Sequence, residues 1–241
     1  MTDTKNPLVV RRIDRLDLHF DPVPWRFAEQ RRDAILAHFE TLRCERPALW
    51  NGPVLVLHRY AFGEASLEGG YLQTDFASFI AWRDFGFPDA DKRNCFSHAA
   101  VLSADGAFLL GEMGPQTANH GKVYFPGGTP DPSDIIDGRV DLGASVRREL
   151  GEETGIGAGE LDIAPYWYCV HAPPRIALIK LMRSRETADT LRARVHAHLA
   201  AEREPELSGI RLVRGPADLD GAVLDFVQVF LKDFWNRGEN A

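Results

Sequence analysis

Residues 125–156 read FPGGTPDPSDIIDGRVDLGASVRRELGEETGI. The second half predicts a helix from Asp141 to Thr154: Asp141 can cap its start, Leu142, Val146 and Leu150 recur at four-residue spacing, and Gly155 ends it. One side of that helix is therefore packed. The other carries Glu149, Glu152 and Glu153, which at roughly 100° per residue share an arc of about 100°. Carboxylates three and four residues apart repel, each pair costing about 0.2–0.5 kcal/mol, unless something positive sits among them. Arg148 can bridge Glu152 one turn on, but one guanidinium cannot neutralise three acids. A hard divalent cation, Mg²⁺ or Mn²⁺, takes oxygen ligands and commonly binds substrate phosphates at the same time.

Upstream, Val123-Tyr124-Phe125 is a short β-prone run, and Gly127 and Gly128 leave the backbone after it free to bend sharply and approach a ligand or ion. A Glu-Glu pair on a helix is ordinarily a solvated face. A glycine bend beside a strand end, followed by an acidic helix, points instead to a site. PGG followed by RELGEETGI resembles the signature of the Nudix hydrolases, in which a glycine precedes an Arg-Glu-aliphatic-x-Glu-Glu-x-Gly-aliphatic segment; Arg148, Glu149, Leu150, Glu152, Glu153, Gly155 and Ile156 match it. The chain departs from the pattern in two places. Val140 stands eight residues before the arginine, where the family has a glutamate, and TPDPSDIIDGRVD reads as an expanded loop.

The resemblance implies Glu149, Glu152 and Glu153 as ligands of Mg²⁺ or Mn²⁺, helped by the backbone carbonyl of Gly127. It implies a catalytic set of Arg148, Glu152, Glu153 and one further acid. Glu202, Glu204 and Glu206 precede a strand candidate, Ile210-Arg211-Leu212-Val213. Some Nudix enzymes hold an additional glutamate before such a strand, and Glu206 is the choice here. The implied fold is α/β (α+β): a mixed sheet sandwiched between helices over 93–241, preceded by a smaller α+β portion over 1–92. In that portion, PALWNGPVLVL, a second strand and TDFASFIAW are similar to the amino-terminal extension of Nudix proteins that hydrolyse UDP-glucose.

The rest of the chain sets bounds. A formal charge of −7 argues against broad electrostatic binding of nucleic acid, and small phosphorylated ligands remain compatible once a metal supplies positive charge. Cys44, Cys95 and Cys169 form no Cys-x-x-Cys pair, which favours free thiols and a reducing compartment. MTDTKNPLVVRR lacks a signal-peptide core and no stretch approaches a membrane span, so a cytoplasmic protein is expected.

Between these landmarks, residues 8–20 read as one half-buried strand, Trp25 to Arg43 as one helix, and Val54 to Tyr60 and Ser66 to Leu72 as strands. Phe76, Phe79, Ile80 and Trp82 predict a helix packed by its aromatic face. FSHAAVL and AFLLG read as a hairpin, Leu161 to Val170 and Arg175 to Met182 as strands, Glu186 to Ala201 as a helix with surface His196 and His198, and Leu219 to Trp235 as a final helix. His120 and Lys122 are candidates for a phosphate contact, and Trp167, Tyr168 and His171 for stacking on a base or sugar.

The reading is thus of a metal-dependent hydrolase of a small-molecule diphosphate, a nucleoside diphosphate linked to another group, with a UDP-sugar first and coenzyme A or ADP-ribose as alternatives. A ligand sensor that keeps the fold without turnover is the alternative from another class. The chain does not fix an oligomeric state, and a homodimer stays open.

Overall fold

A computed structural model describes residues 9–238. The reading of the first residues as free of a signal-peptide core lies, for 1–8, outside the described residues. Among the described residues fourteen strands and six α-helices follow in order: β1 Val9–Ile13, β2 Arg15–Phe20, α1 Arg26–Gln30, α2 Arg32–Glu45, β3 Pro53–Phe62, β4 Ser66–Asp75, α3 Phe76–Asp84, β5 Asn94–Leu102, β6 Phe108–Met113 and β7 Val123–Tyr124. Then come β8 Gly127–Gly128, β9 Ile135–Ile136, β10 Arg139–Val140, α4 Leu142–Thr154, β11 Asp162–Ile163, β12 Trp167–Ala172, β13 Arg175–Arg183, α5 Ala188–Ala201, β14 Leu207–Val213 and α6 Asp225–Asn236.

The larger sheet has nine strands in the order β1-β12-β13-β5-β6-β14, with β11, β7 and β8 paired at its margins. It is mixed, since β13 runs parallel to β5 and the other pairs are antiparallel. Helices cover it on both sides. The Ser97 hydroxyl donates to the Leu142 carbonyl at the start of α4, whereas the His98 ring stacks on Phe226 at the start of α6. Neighbouring residues of a strand point to opposite faces, so α4 and α6 lie on opposite faces of β5. This is the mixed sheet between helices that the sequence leads one to expect.

The second sheet has five strands in the order β3-β4-β2-β10-β9. Asp14 divides the stretch read as one strand over 8–20, because the amides of Asp14 and Arg15 both donate to the Ala65 carbonyl and turn the chain. β1 therefore enters the larger sheet beside β12, and β2 the smaller one beside β4. TPDPSDIIDGRVD is not an open loop either. Asp137 and Gly138, at φ 50° and 76°, form the tight turn of a hairpin between β9 and β10, a conformation that Asp-Gly suits, and β10 pairs with β2.

Two further expectations change. The helix read over Trp25 to Arg43 is interrupted at Arg31, whose φ of −110° and ψ of 16° are not helical. The helix read from Leu219 starts only at Asp225, because the Val123 amide donates to Ala222 and the Leu224 amide donates to Val123, holding this stretch alongside β7. His198, read as a surface residue, is half-buried, with its Nε2 2.8 Å from the Glu152 carbonyl at the end of α4. Burial of Phe96, Phe108, Phe125, Phe230 and Phe234 centres the main core, which also takes in Ile13, Leu18, Leu55, Leu57, Leu67 and Tyr71. A separate aromatic cluster, with Trp25, Phe39, Phe79 and Trp82, joins α2 and α3 to their sheet.

Candidate active site

α4 places the acids. Its N-cap is Asp141, whose side chain accepts from the Ala144 amide, and its C-cap is Gly155 at φ 68°. Leu142, Val146 and Leu150 are buried, which fixes the rotation of the helix. Glu149 and Glu153, one turn apart, then face a cavity of about 660 Å³ that opens between the two parts of the chain. Glu206, just before β14, lines the same cavity. Glu152 does not: its side chain is 61% exposed and turned toward Arg148, 3.0 Å away.

Gly127 explains how Glu153 is held. At φ 130°, a conformation open chiefly to glycine, it brings β8 against β5 at His98, and a β-carbon there would overlap the Ser97 carbonyl. In that position its amide donates to Glu153 Oε1 at 3.0 Å. Glu153 Oε2 is buried and has no hydrogen-bond partner among the described residues. Its carboxyl affinity for protons is raised well above the usual range, first by burial and then by the charges of Glu206 and Glu149. Glu149 is pushed up to about 7, again by burial first, with Arg148 opposing. Glu206 is raised by lost hydration and then by Glu152, although part of the residue stays open to solvent at the rim.

Arg148 is the organising cation. It reaches Glu149 at 2.7 Å, Glu152 at 3.0 Å and Asp134 at 3.0 Å. Asp134 was not among the sequence candidates, yet it is buried, accepting the Ser145 hydroxyl at 2.9 Å and the Asp131 amide at 3.1 Å. Its partner set is complete, so its task is to hold Arg148.

The donor chemistry suits a hard divalent ion. A buried, unpartnered carboxylate oxygen and acids that raise one another's proton affinity are both relieved by such a charge. Glu149, Glu153 and the Gly127 carbonyl could hold it, with Glu206 lining the same cavity and Glu152 next to Glu153 on α4. As the side chains stand, no three His, Cys, Asp or Glu residues among the described residues are grouped to hold an ion, and Arg148 grips two of the acids.

A family profile described as the NUDIX domain matches residues 91–226. The chain belongs to the Nudix family. Among solved structures it is similar to the MutT protein from Methanosarcina mazei Go1, at 18% identity over 61% of this chain and 96% of that one, with a TM-score of 0.38. A Nudix hydrolase from M. smegmatis, RenU, is 15% identical over 60% and 84%, with a TM-score of 0.39. A bifunctional NMN adenylyltransferase/ADP ribose pyrophosphatase from Francisella tularensis, complexed with AMP and Mn ion, is 12% identical over 66% and 46%, with a TM-score of 0.43. At such identities and scores these likenesses say nothing of substrate. No match is found among curated proteins.

Around the Nudix cleft the remaining candidates divide. Lys122 lines the cavity and has no ion pair among the described residues, whereas His120 does not line it. Trp167 and Tyr168 are buried in the core and His171 packs on Tyr60 and Phe62, so none of the three lines the cavity. Trp50, His98, Tyr124 and Phe226 do line it and went unsingled in the sequence. Their only signal was aromatic character, which core residues share. The three cysteines are free, Cys95 and Cys169 being buried, and among the described residues no helix is long and apolar enough to cross a membrane.

Proposed function

We propose that this Nudix protein hydrolyses a phosphoanhydride bond of a nucleoside diphosphate linked to another group, a UDP-sugar first. The observation that carries the reading is the buried, unpartnered Oε2 of Glu153 in a cavity shared with Glu149 and Glu206. Oxygen donors and repelling charge at one spot suit the divalent cation of diphosphate chemistry. Bound there, Mg²⁺ or Mn²⁺ would withdraw charge from the diphosphate and ease loss of a proton from the attacking water.

The chain's own part in the step follows. Gly127 N–H fixes one oxygen of Glu153, and the other, buried and without a hydrogen-bond partner among the described residues, is left to take a cation. Lys122, which has no ion pair among the described residues, meets a substrate phosphate at the cavity wall. Glu206 takes the proton of water as its oxygen bonds to phosphorus, and the bridging P–O bond breaks with its electron pair leaving on the other phosphate. Arg148 stays bound to Asp134 and orients Glu149 and Glu152 without touching substrate.

The sugar nucleotide is placed first because the amino-terminal portion resembles the extension of UDP-glucose hydrolases, and the volume of the cavity admits a ligand of that size. The experiment is a panel of UDP-glucose, coenzyme A, ADP-ribose and nucleoside triphosphates, with and without Mg²⁺, the products resolved by ion exchange. Conversion of UDP-glucose to UMP and glucose 1-phosphate, dependent on Mg²⁺ and lowered about 100-fold or more in Glu153→Gln, is the expected result. Hydrolysis of none of the panel overturns the reading and favours a sensor.

A further inference from the structure

We infer that Trp50 is the platform on which the planar base of the substrate stacks, an inference that rests on the phosphoanhydride hydrolase reading. The chain has five tryptophans. Trp25, Trp82 and Trp167 are buried and Trp235 is half-buried, whereas Trp50 is 76% exposed. It lines the same cavity as Glu149, Glu153 and Glu206.

Its position is built. A β-carbon at Gly52 would overlap the Trp50 ring, so the absence of a side chain there lets the indole lie against the backbone with the rest of its surface open. The cleft is also polarised. The side supplied by the amino-terminal portion presents Leu49, Pro53, Val54, Phe76 and Phe79 around Trp50, with no carboxylate or amide side chain; its one charge, Arg83, is 2.7 Å from Asp84. The opposite side carries the acids and Lys122, and its aromatic residues, Phe96, His98, Tyr124 and Phe226, are each 7% exposed or less, so among the aromatic residues of the cleft it is Trp50 that offers an open face. A ligand with a diphosphate at the acids must lay its other parts along this gradient. Sugar hydroxyls need donors and acceptors, which the apolar wall lacks, while a base needs an aromatic face. The ring therefore goes to Trp50, and the hydroxylated group toward the polar side.

The exposure difference makes the test direct, because acrylamide reaches Trp50 and is kept from the buried tryptophans. α,β-Methylene-ADP and α,β-methylene-UDP, which resist hydrolysis, are titrated with Mg²⁺ into the full chain, with methylenediphosphonate as the ring-free control. Either nucleotide is expected to shield most of the quenchable fluorescence, and methylenediphosphonate none of it. For the compound of the panel that is hydrolysed, Trp50→Ala is expected to raise KM about ten-fold with kcat within about two-fold, and Trp50→Phe to restore most of the loss. Unchanged quenching with both nucleotides, or an unchanged KM in Trp50→Ala, overturns the inference while hydrolysis of the panel leaves the hydrolase reading standing. A panel with no hydrolysis brings down that reading and the stacking with it.

Discussion

Arg148 is pinned by an acid that its spacing does not reveal. Eight residues upstream stands Val140, which is buried and apolar; the carboxylate on the guanidinium comes from Asp134. The hairpin of β9 and β10 takes up the extra residues, and the Asp141 amide donates to the Asp134 carbonyl, so Asp134 ends up beside the first turn of α4. Asp134→Asn keeps the shape and the Ser145 contact but removes the charge that holds Arg148, leaving the guanidinium to be drawn wholly by Glu149 and Glu152. Such outer partners are typically worth 10–100-fold in activity or metal affinity, so kcat is expected to fall about ten-fold or more with the melting profile close to wild type. Wild-type kinetics in Asp134→Asn would mean that Arg148 needs no anchor. The three acids of α4 were legible because they lie at i, i+3 and i+4 on one helix; Asp134 was not, because its distance from Arg148 depends on a hairpin whose pairing partner, β2, is far away in sequence. A second residue with its own consequence is Lys180, buried among Ala164 and Tyr166 carbonyls at 3.3 and 3.1 Å and over the Trp167 ring. Burial, then Arg147, lowers its proton affinity to about 8. A lysine depressed in the folded state carries a penalty that is fully present below about pH 8 and vanishes as pH rises past the ordinary 10.5. Urea denaturation of wild type against Lys180→Met should shift in favour of wild type by on the order of 2 kcal/mol across that window. A pH-independent difference would contradict the assignment.

At the scale of elements, β8 consists of two glycines with unequal duties. Gly127 has its φ of 130° and a β-carbon would meet the Ser97 carbonyl and lie 2.9 Å from His98 Cα, both backbone atoms of β5 that cannot step aside. Gly128 has nothing within 4 Å of such a carbon. Gly127→Ala is therefore expected to cost about 1–3 kcal/mol and to loosen the amide from Glu153, whereas Gly128→Ala should stay within about 0.5 kcal/mol. Thermal melts of the two variants check this, and equal losses would show that the approach of β8 to β5 is not what Gly127 provides. The glycine pair announced a bend in the sequence, but which glycine bears it depends on the register of β8 against His98. The same limit explains the other element-scale differences. Helices with a buried four-residue period, such as α4 and α5, were readable locally. The end of β1 was not, because the break at Asp14 is made by the Ala65 carbonyl from a distant turn. The late start of α6 was not, because β7 holds Val223 and Leu224 alongside it through the amide and carbonyl of Val123.

For the molecule as a whole, the amino-terminal portion is woven into the Nudix domain and not merely laid against it. β1 supplies an outer strand of the larger sheet, pairing with β12 over Val9 to Ile13, and β10 from the centre of the signature stretch closes the smaller sheet on β2. The Tyr71 hydroxyl donates to the Cys95 carbonyl at 3.0 Å, and the Leu55 amide to the Pro130 carbonyl at 2.8 Å, so the two sheets share hydrogen bonds as well as one apolar core. Ile13, Leu18, Leu55, Leu57, Leu67 and Tyr71 are buried in that core together with Phe96, Phe125 and Val146. Removing 1–92 would strip these side chains away and leave β12 with an unpaired edge beside exposed apolar surface, a template for aggregation. The full chain is therefore expected to unfold in one cooperative transition, with tryptophan fluorescence and far-ultraviolet circular dichroism giving coincident curves. The fragment 93–241 is expected to aggregate or to lack a cooperative transition, although it holds Arg148, all the carboxylates of the cleft and both glycines of β8. A monodisperse fragment that melts sharply and hydrolyses the same compound as the full chain would show that the core divides at that point. Trp50 and its apolar wall belong to the part removed, so such a fragment would also be expected to keep its turnover and lose its grip on the base.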